Sequence, residues 1–483
     1  MKKIKQPSMI EACLMLTLVI ATIAISVIGF KIAPNIAILF AIGIVMIYMS
    51  VKRMPFDAIH DGIISGIKPG IIPIFIFILV GSLIAVWIQA GIIPTLMVLG
   101  FNIISVKWFV PSVFIVCAIV GSAVGSAFTV MSTIGIAFFG IGATLGLNPA
   151  LIVGAIVSGA VFGDKMSPLS ESTNLTAAVV DADLFKHIKN LMWSTLPAFV
   201  VSLVLFAILG VSNQATSLDK IAEVTKVLHA HFSISGWAFI PILLMFVCAW
   251  KKIPAILTIL LNIGIALVMI FIHNPHTKIT DLGLLIDSGF KSATGNQEID
   301  LLLSRGGIES MMPTVSLIIL TLSLGGLLMK TGLVSTVMDR VAHKLASPKS
   351  LITTTLFTSI GVNIFIGEQF LSVILPGNAF KEVYKKANLD TVVLGRTLED
   401  GGTVINYLIP WGIAGSFVAS TFGVPTLTYL ASTFGVPTLT YLPFVFFSLF
   451  SPVFSLISAF TGLGVKKISS IKNKDVVSKT QSL

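Results

Sequence analysis

The sequence predicts an all-α polytopic membrane protein with two inverted-topology repeats, broken helices, re-entrant hairpins and roughly 11 to 14 helical segments. Three observations predict it. The first is composition. Of 483 residues, 55% are hydrophobic and only 11% charged, with a mean hydropathy of +1.00. A soluble domain carries roughly 25% charged residues, so this chain cannot cover itself with a water-facing surface. The second is run length. Residues 12–30, 33–49, 71–90, 256–272 and 444–460 are apolar stretches long enough, or nearly so, to cross about 30 Å of hydrocarbon. The third is internal repetition. SLIAVWIQAGIIPTLM (82–97) aligns with SLGGLLMKTGLVSTVM (323–338), so Ser82, Leu83, Gly91, Thr95 and Met97 fall on Ser323, Leu324, Gly332, Thr336 and Met338, 241 residues later. At nearly the same offset Gly125, Phe128 and Gly135 fall on Gly367, Phe370 and Gly377, Gly159 on Gly395, and Asp164 on Asp400.

In chain order, residues 1–210 are read as the first membrane repeat, 211–235 as a linker, 236–463 as the second repeat and 464–483 as a basic cytoplasmic tail. The first apolar run exceeds a signal-peptide core, so it is expected to stay in the membrane. Net charge is +10, but the basic residues cluster at the ends and between spans: Lys2, Lys3, Lys5, Lys52, Arg53, Arg340, Lys344, Lys349, Lys466, Lys467, Lys472, Lys474 and Lys479. That is a topology signal rather than a nucleic-acid footprint, and it places both termini in the cytoplasm of a multi-pass cell-membrane protein. Equivalent loops carry opposite bias. Loop 50–69 has Lys52, Arg53 and Lys68 against Asp57 and Asp61, while loop 274–310 has Asp281, Asp287, Glu298, Asp300 and Glu309 against Lys278, Lys291 and Arg305. Two halves inserted in opposite orientations produce this contrast. Lys381, Lys385 and Lys386 run against it. Near the end, ASTFGVPTLTYL occurs twice in tandem, at 419–430 and 431–442, and its Gly and Pro content reads as a loop. Cys13, Cys117 and Cys248 lie in apolar runs and read as buried packing residues. His229, His231, His273 and His276 read as solvated loop residues, and Trp87, Trp193 and Trp411 as interface or packing residues.

The chemistry sits at two polar breaks. VFGDKMSPLSESTNLTAA (161–178) follows the apolar LIVGAIVSGA. Pro168 lacks an N–H and disfavours helix at Ser167, so a helix is expected to end near Asp164 and another to start with Ser167 as N-cap and Pro168 in its first position. Free carbonyls at the first end suit a cation, and free N–H groups at the second suit an anion. LEDGGTVINYLIPWG (398–412) is the second break: Gly401 and Gly402 loosen the helix beside Glu399 and Asp400, Thr403 and Asn406 add oxygens, and Pro410 interrupts again. Carboxylate, hydroxyl and amide oxygens suit hard cations. A carboxylate at membrane depth is disfavoured in its charged form, so it holds a proton or Na+ but not both. The candidate ion-binding set is Asp164, Ser167, Ser170, Glu171, Thr173, Asn174, Glu368, Asp400, Thr403 and Asn406. Lys165, Arg396 and Glu399 support it, and Arg396 stands four residues before Asp400 at ion-pair spacing. No cofactor, resident metal or nucleic-acid partner is expected. The cargo is Na+ and H+, and the surrounding partner is the lipid bilayer, with a homodimer compatible.

GDKMSPLSESTNL (163–175) closely resembles the signature of the NhaC-type Na+/H+ antiporter family, and LEDGGTVINYLIPWG extends the resemblance over nearly the whole chain. The resemblance implies a secondary antiporter that expels cytoplasmic Na+, and also Li+, against entering H+. Asp164, Ser167, Ser170, Glu171, Thr173 and Asn174 match the motif by position. Glu171 and Ser172 stand where Asp and Thr are more usual, and both keep an oxygen. Two other readings stay open. One is a Na+/H+-coupled organic-acid exchanger of the malate/lactate type, with Arg396 on the substrate carboxylate. The other is an ion channel or a non-transporting membrane receptor. An enzyme is not expected, since neither a nucleophile–base set nor a zinc motif is present.

Overall fold

Helices supply the regular structure of the described residues, apart from one isolated β-bridge between Leu389 and Lys467. The structure, a computed structural model, describes residues 7–30, 32–103, 106–210, 218–251, 253–342, 347–422 and 441–468. The tandem dodecapeptide and the basic tail beyond 468 lie almost wholly outside these residues.

Three helices come first: α1 (Met9–Ala24), α2 (Pro34–Val51) and α3 (Phe56–Ile67). A first series follows: α4 (Ile71–Gln89), α5 (Ile92–Ile103), α6 (Phe109–Val124), α7 (Ala127–Val130), α8 (Ile136–Thr144), α9 (Pro149–Met166), α10 (Glu171–Val179) and α11 (Leu184–Leu209). Then come α12 (Leu218–His231), α13 (Phe239–Trp250), α14 (Ala255–His273), α15 (Ile279–Ser288) and α16 (Gln297–Leu303). The second series is α17 (Ile308–Lys330), α18 (Leu333–Ala342), α19 (Pro348–Ile366), α20 (Gln369–Lys386), α21 (Thr391–Leu398), α22 (Ile413–Thr421) and α23 (Phe446–Thr461). Ten helices among the described residues are long and apolar enough to cross a membrane, or eleven if α12 and α13, bent by 87°, count together.

Two turns of the first series match two of the second in conformation. Gly91 and Gly332 take φ of 77° and 76° after the first helix, and Gly125 and Gly367 both take 71° after the third. Only glycine adopts that left-handed region cheaply. Each of the latter two is followed by an extended N-cap residue that starts the next helix: Ser126 accepts from the Thr129 N–H, and Glu368 from the Leu371 N–H.

Between helices in lipid, close packing rather than hydrophobicity drives association, so small residues mark the tight crossings. Gly159 and Gly163 sit one turn apart on α9, against α6. A Cβ on Gly163 would stand 2.6 Å from Gly121 Cα and 2.6 Å from Ser122 N. Gly62 and Gly66 let α3 approach α17 at Gly326 in the same way. This packing separates lipid-facing helices from interior ones. The spans of α1, α2 and α11 are 33% buried, whereas that of α9 is 78% and that of Thr391–Thr421 is 83%. Both polar breaks therefore lie on the most enclosed elements.

Several local expectations change. Loops 50–69 and 274–310 are largely helical, forming α3 and α15–α16. His229 and His231 end α12 and His273 ends α14, so these residues are exposed but on helices. Cys117 and Cys248 are buried, but Cys13 is exposed, because an outer membrane helix turns much of its apolar surface to lipid. Lys381, which ran against the charge pattern, pairs with Asp181 in the turn after α10.

Candidate functional site

The site is built where α9 stops. Ser167 is the C-cap of α9, not the N-cap of its successor. Its hydroxyl accepts from the Leu169 N–H at 3.2 Å, and its carbonyl accepts from the Ser170 N–H at 3.2 Å. Pro168 thus occupies the second corner of a turn, a place its fixed φ suits as well as a first helical position. Ser170 is the N-cap of α10, accepting from the Thr173 N–H, and Glu171 follows at the end where an acid is favoured. The Thr173 hydroxyl donates to the Lys165 carbonyl at 3.1 Å, and the Asn174 amide donates to the Pro168 and Ser170 carbonyls at 2.8 and 2.7 Å. Part of the expected ligand set therefore holds the break open.

Asp164 stands on the last turn of α9, half-buried. The Ser170 hydroxyl and the Ala127 N–H at the start of α7 lie near its carboxylate, and the charged groups around it are two acids, Glu399 and Glu171. It faces a cavity of about 600 Å³ whose polar lining also includes Ser126, Thr129, Glu171, Ser172, Asn174, Thr258 and Gln369. Apolar residues of α4, α13 and α14 close the other side. A carboxylate with acidic neighbours at a roomy polar wall is an attractive place for a cation, since a cation relieves the mutual repulsion.

The second break is a π-helical turn, Glu399–Thr403, then a 3₁₀ turn, Ile405–Leu408, before α22 begins after Gly412. Asp400 is fully buried. Its Oδ1 is bound by Lys165 Nζ, by the Ser194 hydroxyl at 3.1 Å and by the Ser451 hydroxyl at 2.5 Å. Lys165 therefore takes the partner that spacing had offered to Arg396. The Arg396 guanidinium, also fully buried, donates to the Ser458 hydroxyl at 2.6 Å and the Gly464 carbonyl at 3.3 Å. Glu399 accepts from the Thr403 hydroxyl at 2.7 Å and faces His187 Nε2 at 3.6 Å. Glu368 caps α20 through the Leu371 N–H at 2.7 Å, with its other oxygen unpartnered. Asn406 braces the backbone: its amide donates to Asn363 Oδ1 at 2.5 Å and its oxygen accepts from the Ala414 N–H at 2.8 Å.

The fold thus gathers Asp164, Ser170, Glu171 and Glu399 in one place and Lys165 with Asp400 beside them. Glu368, Thr403 and Asn406 are joined to local backbone or to one another's neighbours. Sequence reasoning missed His187, Ser194, Tyr407 and Ser451. His187, Ser194 and Ser451 reach Glu399 and Asp400 only because α11 and α23 meet the second break, whereas Tyr407 lies within that break and its hydroxyl has no hydrogen-bond partner.

A family model described as the Na+/H+ antiporter family matches residues 159–463. The Na(+)/H(+) antiporter NhaC of Alkalihalophilus pseudofirmus is 39% identical over 461 residues, covering 95% of this chain and 97% of that protein. The Na(+)/H(+) antiporter NhaC of Bacillus subtilis is 37% identical, covering 84% and 87%. The malate-2H(+)/Na(+)-lactate antiporter of Bacillus subtilis is 30% identical, covering 96% of each chain.

Proposed function

The chain belongs to the Na+/H+ antiporter family, and we propose that it exchanges cytoplasmic Na+ for external H+ by alternating access around Asp164. The placement of Asp164 carries this reading: it meets the cavity with acids for neighbours, while Asp400 is held by Lys165. Na+ enters hydrated and exchanges water for the carboxylate and the oxygens of Ser170, Glu171 and Asn174. A proton arriving at the same carboxylate removes its charge and releases the ion. One group serving two cations in turn is the minimal basis of exchange.

The two matched series supply the moving parts. With opposed loop charge they are inverted repeats in a cell membrane with both termini cytoplasmic, and the neutral Lys165–Asp400 pair is the joint between α9 and the second break. The Arg396 guanidinium binds Ser458 and Gly464 and does not line the cavity that Asp164 faces, which favours cation exchange over organic-acid exchange. The test is Na+-dependent proton flux in everted vesicles. Asp164→Asn abolishes flux while the protein still inserts. Retained flux removes Asp164 from the mechanism, and flux that requires added malate or lactate makes organic-acid exchange the correct reading.

A further inference from the structure

Tyr407 is 2% exposed, and its phenol oxygen has no hydrogen-bond partner in the structure. Burying a hydroxyl unpaired is unfavourable, so the group calls for a partner such as a water or an ion. Its position points to the ion. Tyr407 rides on the 3₁₀ turn Ile405–Leu408 of the second break, between the π-helical turn and α22. Its ring packs on Phe128 with centroids 6.0 Å apart, and Phe128 lines the cavity that Asp164 faces. Tyr407 does not itself line the cavity: its ring backs Phe128 there from the second series, and Asp164, of the first series, is the charged group that acts on its hydroxyl.

We propose that the Tyr407 hydroxyl is a ligand of the transported cation, closing the Asp164 site from the opposite series. The assignment rests on the reading that Asp164 carries the ion. A phenol oxygen is a hard, neutral donor: it adds a lone pair toward Na+ without adding a charge, and free tyrosine keeps its proton until a pH of about 10. It therefore strengthens the sodium-loaded state and leaves the protonated state alone. Placing one ligand in each series also gives the ion itself a part in drawing the two series together.

Tyr407→Phe tests this directly, because it removes the oxygen and keeps the ring on Phe128. In proteoliposomes the half-saturating Na+ concentration for proton flux rises about tenfold, with the maximal rate kept. A packing role alone would not raise half-saturation at constant maximal rate. Wild-type half-saturation in Tyr407→Phe, measured alongside an inactive Asp164→Asn, overturns the ligand assignment and leaves the antiport reading standing. An active Asp164→Asn overturns both. Should Tyr407→Phe fail to fold, the wild-type protein provides the second measurement. Na+ binding to it produces a tyrosine ultraviolet difference signal, and absence of that signal overturns the assignment.

Discussion

Breaking the Lys165–Asp400 pair is expected to destabilise the protein strongly from either side, and removing both charges is expected to restore it. The side chains are 1% and 0% exposed, so water cannot reach whichever charge is left behind. Two unit charges a few ångström apart attract by about 4 kcal/mol at an effective dielectric near 20. Removing one partner of a buried pair costs about 3–5 kcal/mol. The structure orders the two variants within that range. Lys165→Met leaves Asp400 with the Ser194 and Ser451 hydroxyls as donors, which places it near the lower end. Asp400→Leu leaves the ammonium with the Ser451 hydroxyl at 2.9 Å and lies near the upper end. The double variant should fall within about 1 kcal/mol of the wild type, since apolar replacement of a whole pair is often neutral. The assay is reversible unfolding in mixed micelles, read as a double-mutant cycle with a coupling of about 7 kcal/mol, the two single costs less that of the double. Single variants that each cost under about 1 kcal/mol and simply add would refute the reasoning.

Two further outcomes follow from other parts of the fold. Gly163→Leu drives a side chain into Gly121 Cα and Ser122 N, so it should cost about 1–3 kcal/mol and shift Asp164, read as lower thermal stability together with reduced flux. Gly163→Ala should fall between it and the wild type. Asp300 tests a pH effect outside the spans. Burial raises its carboxyl, but the Thr294 N–H, the Ser292 and Thr294 hydroxyls and the Gly295 N–H bind the charged form and bring it below the usual range. A lowered carboxyl stabilises its loop fully above the unfolded value of about 4 and loses that effect as pH falls through the folded value. The protection factors of the Thr294 and Gly295 amides, exchange corrected for its intrinsic pH dependence, should therefore fall on acidification in the wild type, and Asp300→Asn should show no such step.

The break at Pro168 was legible because proline denies a hydrogen bond wherever it stands. Which cap each serine makes was not, since Ser167 and Ser170 both stand where a capping residue belongs and only the closed turn selects between them. The glycine pairs Gly91/Gly332 and Gly125/Gly367 were visible as repeats, and their shared left-handed backbone supplies the physical reason. The Arg396–Asp400 spacing suggested an ion pair on one helix face. Sequence spacing says nothing of competitors, and Lys165 arrives from 235 residues away.

Taken alone, the sequence determined that the chain is a multi-pass membrane protein interrupted by oxygen-rich breaks, and its repetition predicts two related halves. Those are local properties, written in hydropathy, in backbone restriction and in motifs a few residues long. Tertiary structure alone decided which acid keeps an unpaired face toward the cavity and which is neutralised. The difference between Asp164 and Asp400 depends on the donors that α9, α11 and α23 bring to Asp400, and electrostatics inside a low-dielectric interior are set by such distant neighbours rather than by residues adjacent in the chain.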